Sequence, residues 1–216
     1  MRPLKTILAV LGATALFVVT VTAGDVVRYN ARFSGSKVSI LGTSTIHDWT
    51  MDGQIIGGFM EVPAGVEFDQ SKTTLSGLTG GKLDARVETT IPVTSMKGSW
   101  SGMDEPMQDA MNAKEHSEIK FKLTELTLKE PHAAGTPFQF EAKGELSLHG
   151  VTNLISMPAS IESVDKSRLK ISGKTPLKMT DFKVKPPVKL GIFRTGDEVT
   201  ITFEWLVAQP KAASPK

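Results

Sequence analysis

The stretch Phe138-Gln139-Phe140-Glu141-Ala142-Lys143-Gly144-Glu145-Leu146-Ser147-Leu148 alternates apolar or small residues with polar and charged ones at every step. Period two places Phe138, Phe140, Ala142, Gly144, Leu146 and Leu148 on one face, and the charges on the other predict an antiparallel strand that is wet on one side. Working outward, Val199, Ile201, Phe203, Trp205 and Val207 repeat the pattern against Thr200, Thr202 and Glu204. Leu83, Ala85, Val87, Ile91 and Val93 do the same against Asp84, Arg86 and Glu88. Shorter runs fit at Val38 to Gly42, Gly57 to Val62, Ile119 to Leu128, Ile155 to Ile161 and Arg168 to Ser172. In Ile119 to Leu128 the apolar phase shifts from Ile119, Phe121 and Leu123 to Leu126 and Leu128, which predicts a bulge near Thr124 and Glu125. Turn residues such as Gly135-Thr136-Pro137 and Thr195-Gly196-Asp197 separate the runs. About eight strands without alternating helices predict an all-β antiparallel fold.

One stretch departs from the pattern. Met103, Met107, Ala110 and Met111 share a helical face, Pro106 is tolerated in a first turn, and Asp104 is placed to cap it, so a short helix is expected between two strands. At the N-terminus, Arg2 and Lys5 precede an uncharged apolar run from Ile7 to Val21, followed by Thr22, Ala23 and Gly24. This reads as a secretory signal peptide over residues 1–23, because the run falls short of the ~20 residues that span a bilayer. The remainder reads as one domain over residues 24–209, with a disordered tail over 210–216. Cleavage removes two basic residues and leaves 23 charges of each sign, which argues against a nucleic-acid partner. No cysteine is present, so disulfides, thiol catalysis and a lipoprotein anchor are excluded. No second apolar run is long enough to cross a membrane, and the expected location is the periplasm or beyond.

Catalytic signals are weak. Gly98-Ser99-Trp100-Ser101-Gly102 has its serine out of place for a nucleophile elbow, and Gly77 to Lys82 lacks the spacing of a phosphate loop. His47, His116, His132 and His149 are too scattered to read as a metal site, so neither a catalytic nor a metal residue is assigned. In the His47-Asp48-Trp49 segment, Asp48 is expected to bond a turn and His47 or Trp49 to point inward. Met103, Met107 and Met111 at i, i+4 and i+8 present three thioethers, with His116 nearby, which is either flexible filler or a copper(I) site of an exported metal or stress protein.

Several segments together resemble the YceI-like family. Gly42-Thr43-Ser44-Thr45-Ile46-His47-Asp48-Trp49 looks like its small-residue, histidine-containing opening, and Ala113 to Phe121 resembles its link into a central strand. Gly144-Glu145-Leu146-Ser147-Leu148-His149-Gly150-Val151-Thr152 is similar to its turn between two strands. Met179-Thr180-Asp181-Phe182 with Gly196-Asp197-Glu198-Val199 resembles its late segment and final strand. Ser117 stands where the family commonly has proline, and the methionine-rich helix replaces a more aromatic segment.

The resemblance implies an extended, lipocalin-like antiparallel β-barrel that encloses a long isoprenoid, a quinone or another lipid chain without changing it and without a further cofactor. Such a barrel has an interior that is either just filled or able to hold one small ligand. The inward stripe Phe121, Leu123, Phe138, Phe140, Leu146, Leu148, Ile201, Phe203 and Trp205 is then the expected tunnel lining. His47, Trp49, Met107 and Met111 are the candidates for its mouth. Whether the barrel stands alone or as a homodimer is left open by the sequence.

Overall fold

The computed structural model describes residues 25–100, 102–189 and 193–210. The leader expected over 1–23, and all but the first residue of the tail expected over 210–216, lie outside them. The main elements are β1 (Val26–Ala31), β2 (Lys37–Ser44), β3 (Trp49–Gly53), β4 (Gly57–Pro63), β5 (Arg86–Pro92), α1 (Asp104–Ala110), β6 (Glu118–Leu128), β7 (Phe138–Leu148), β8 (Val151–Asp165), β9 (Arg168–Lys178) and β10 (Phe193–Ala208). They form a closed antiparallel barrel, in agreement with the all-β expectation. Among the described residues no helix is long and apolar enough to cross a membrane.

The alternating stretch is the middle of the wall. β7 pairs with β8 along its whole length, from Phe138 opposite Ile161 to Leu148 opposite Val151. The link is a two-residue turn, His149-Gly150, with φ of 52° and 75°. A primed hairpin turn needs positive φ at both positions, which glycine supplies without strain. On its other side β7 pairs with β6, and the register slips where Lys143 faces Glu125 and Gly144 faces Leu123. Thr124 is the extra residue, and its hydroxyl donates to the Lys143 carbonyl at 3.0 Å, so the bulge lies where the phase shift predicts it.

β10 closes the ring. One edge pairs with β9 from Arg168–Ala208 to Lys178–Glu198. The other edge meets β1 at Ala31–Val207 and, further back, β2 from Val199–Gly42 to Glu204–Lys37. β1 and β2 therefore continue one another along β10, bent at Arg32 to Ser36. β4 and β3 bend in the same way, pairing with β1 and β2 respectively. β5 follows β4, and Lys97–Gly98 follows β3. Each bent pair counts once around the barrel, which gives eight staves. β1 and β3 escape the sequence reading because each is only a few residues long and ends at a bend.

Two local expectations are corrected. Leu83 to Val93 is not one strand: Lys82 faces Thr127 and Glu88 faces Lys122, a one-residue slip, and the chain breaks at Asp84–Ala85 where the Ala85 amide bonds the Leu83 carbonyl. Asp104 does not cap its own helix. Its carboxylate takes the Gly98 amide at 2.8 Å and the Lys97 ammonium at 2.9 Å, and these bonds hold it below the usual carboxylate range while pinning α1 to the sheet.

Outside the barrel, Glu125 accepts from Lys82 and Lys143, whose hydrogen bonds lower its pKa from 4.5 to about 2. A carboxylate depressed in the folded state contributes stability above its unfolded pKa and loses it as pH falls through the folded value. The gap in urea midpoint between wild type and Glu125→Gln is expected to be full at about pH 5 and to close towards about pH 2. A gap independent of pH over that window would show that the pair does not stabilise the fold.

Candidate functional site: an apolar tunnel

One end of the barrel is solid. The excursion between β4 and β5 folds back to bury Val66, Phe68 and Leu75. Phe68 meets Phe138 and Phe140 edge-on, with ring centroids 6.1 and 6.5 Å apart, and His132 stacks on Phe138 at 4.0 Å. Phe138 and Phe140 are fully buried. Trp205 lies at this level too, its indole N–H donating to the Ile56 carbonyl at 3.1 Å.

Above that plug the interior is open. A cavity of about 710 Å³ runs towards α1 and the Met179–Phe182 turn, within the range that holds drug-sized or longer ligands. Its wall includes Phe121, Leu123, Leu146, Leu148, Ile201, Phe203 and Trp205 from the expected stripe. Phe138 and Phe140 do not reach it, which corrects that stripe. They have the right parity, and their cross-strand partners Ile161 and Ala159 do border the cavity, but Phe68 from the excursion lies against both rings. The mouth candidates His47, Trp49, Met107 and Met111 all border the cavity.

Space is kept open by pairs of aromatic residues and glycines across neighbouring strands. A Cβ on Gly42 would stand 2.2 Å from the Trp49 ring, one on Gly144 2.4 Å from Phe121, and one on Gly173 2.7 Å from Phe203. Each ring lies flat over a position with no side chain and so follows the wall instead of crossing the bore. Sequence reading gives these glycines no partner, because the covering ring is on another strand.

All eight methionines of the described residues, Met51, Met60, Met96, Met103, Met107, Met111, Met157 and Met179, border the cavity. Unbranched thioethers change rotamer easily, so this wall adapts to the shape of its contents. Among the described residues, Lys178 and Arg194 are the only charged groups lining it. Both escaped the sequence reading because period two assigns such residues to the outer face, yet each stands at a strand end by the opening. No cluster of His, Cys, Asp or Glu able to hold a metal ion is found among the described residues.

The segments quoted above for their family resemblance meet at the mouth. The Trp49 indole donates to the Thr43 carbonyl at 3.0 Å, and the turn between them is organised by the Ser44 hydroxyl, which bonds His47, rather than by Asp48. Phe121 covers Gly144, and the His116 ring packs against Gly150. His149 Nδ1 donates to the Phe182 carbonyl at 3.2 Å. Asp197 accepts from the Thr180 hydroxyl at 2.7 Å and its amide at 2.9 Å, which lowers its pKa and anchors the Met179–Phe182 turn to β10. Phe182 and Val184 pack with Ala110 and Met111, so the turn and α1 meet across part of the opening.

Fold and site define a closed antiparallel barrel around an apolar tunnel. A family model described as YceI-like domain matches residues 27–206, and the chain belongs to that family. Its structure is similar to Burkholderia cenocepacia BcnA at 18% identity and TM-score 0.59, covering 82% of this chain and 98% of that one. It is also similar to a polyisoprenoid binding domain from Saccharophagus degradans implicated in plant cell wall breakdown, at 14% identity and TM-score 0.58, covering 85% and 99%. A third similar structure is the Campylobacter jejuni YCEI protein, at 18% identity and TM-score 0.51, covering 75% and 85%. No curated protein matches the chain.

Proposed function

We propose that the protein binds a polyisoprenoid or other long-chain lipid, quinones included, inside the barrel, and carries it without chemical change in the periplasm or outside the cell. The observation that carries this reading is the tunnel itself: predominantly apolar, closed at one end by Phe68, Phe138 and Phe140, and, among the described residues, charged only at Lys178 and Arg194 by the mouth. Each ~100 Å² of chain buried there contributes about 2.5 kcal/mol, so affinity needs no catalytic or metal group. Lys178 and Arg194 offer a counter-charge to a polar head left at the opening. Family membership and the polyisoprenoid binding domain among similar structures support the ligand class. The leader sequence, with Arg2, Lys5 and the apolar run from Ile7 to Val21, supports export.

Solvent extraction and mass spectrometry of the purified protein are expected to release an isoprenoid or related lipid. Protein that is reproducibly empty, and that also fails to bind added quinone or polyprenol, would sink this reading. A second reading, copper(I) held by the helix, is favoured only by the approach of Met103, Met107 and Met111 to one cavity wall. It predicts copper(I) binding, measured against a competing chelator, that disappears in Met107→Leu with Met111→Leu. Unchanged affinity in that double variant ends it.

A further inference from the structure

We propose that the lip formed by the Thr45–His47 turn, the segment from Lys178 to Val188 and Arg194 docks on an anionic lipid bilayer, so that the tunnel opens against the membrane that supplies its contents. This rests on the lipid-binding reading above, and it adds where the protein loads.

The two parts of the lip are joined by backbone. The Thr45 amide donates to the Arg194 carbonyl at 3.0 Å, the Arg194 amide donates to the Thr45 hydroxyl at 3.2 Å, and Val188 faces Arg194 in a short antiparallel pair. Ile46 is 59% exposed and Val188 57%, and both border the cavity. Trp100, also exposed, stands against the His47 ring at 4.5 Å on the same rim. Single exposed apolar residues need no explanation, but three around the opening of one lipid-sized tunnel form a surface suited to the headgroup region.

Charge selects the kind of bilayer. Within this lip Lys178, Lys183, Lys185 and Arg194 outnumber the acids Asp181 and Asp197, of which Asp197 is already engaged by Thr180 and lies near Lys178, and none of the four cations is in an ion pair among the described residues. The other lip is acidic: Glu105 and Asp109 lie on α1, where Asp104 is already paired with Lys97 at 2.9 Å. An anionic surface therefore attracts the protein by the basic lip and turns the helical lip away from it. Each basic residue near such a surface strengthens binding by about fivefold, and screening weakens the attraction as salt rises.

The test is co-sedimentation of the mature protein with vesicles of phosphatidylcholine alone and of phosphatidylcholine with phosphatidylglycerol. Binding is expected only to the anionic vesicles and is expected to fall with added salt. Lys183→Gln with Lys185→Gln, neither of which lines the cavity, should weaken it on the order of twentyfold. Ile46→Ser should weaken it several-fold, and Lys122→Gln with Lys174→Gln, on the barrel wall, should leave it unchanged. Absence of vesicle binding, equal binding to neutral vesicles, or equal losses in the lip and wall variants overturns the proposal. Binding of a short fluorescent isoprenoid without vesicles is measured in parallel. If wild type and the Lys183/Lys185 variant both bind it, a vesicle failure counts against docking alone, whereas protein that binds neither counts against the lipid-binding reading.

Discussion

Ala142→Phe is expected to shorten the tunnel from its floor and to penalise the longest ligands most. Ala142 is buried, faces Met157 on β8 and Leu126 on β6, and borders the cavity two steps above Phe140 on the same strand. A ring at that position takes the space of the far end of a bound chain. Losing ~100 Å² of ligand burial costs about 2.5 kcal/mol, which is an affinity loss on the order of seventyfold. Displacement of a fluorescent probe by long and short polyprenols measures it, with a thermal melt confirming that the variant folds. Equal losses for long and short chains would mean that ligands do not lie along this axis.

Phe140→Ala should do the opposite: damage the fold and spare the bore. The ring is fully buried between Phe68 and the wall and does not border the cavity. Truncating such a phenylalanine costs about 3–5 kcal/mol, which for a domain of this size lowers Tm on the order of 10 °C. Short ligands should retain near-native affinity at temperatures where the variant is folded. If instead stability barely changes and binding collapses, the plug is part of the tunnel after all. The two variants sit one inward position apart on β7, and their contrast locates the cavity floor.

That contrast also marks the limit of a stripe read from sequence. Phe138, Phe140, Ala142, Leu146 and Leu148 share a parity, and parity is all that period two reports. Leu146 and Leu148 border the tunnel because they lie near the mouth, whereas Phe138 and Phe140 are covered by Phe68, more than sixty residues away along the chain. The methionine face of α1 was legible, but the convergence of Met51, Met60, Met96, Met157 and Met179 on the same cavity was not. Those five are spread over separate strands and turns. Nothing local in the sequence ties them together.

The wide resemblance of motifs is likewise explained only by their meeting. Thr180 and Asp197 belong to one motif because they hydrogen-bond across a connection, and Phe121 and Gly144 belong to successive motifs because a ring needs an empty position beside it. A glycine in a strand is locally unfavourable, so its presence at Gly42, Gly144 and Gly173 makes sense only with Trp49, Phe121 and Phe203 lying over it.

By itself, the sequence determined the strand periodicity, the bulge near Thr124 and Glu125 and an all-β antiparallel class, because these follow from the geometry of a few adjacent residues. Tertiary structure alone decided that the interior is a tunnel with a plugged floor and a basic lip. A cavity is what remains when side chains from all eight staves fail to fill the space they enclose. That volume is a sum over residues distant in the chain, so no local pattern carries it.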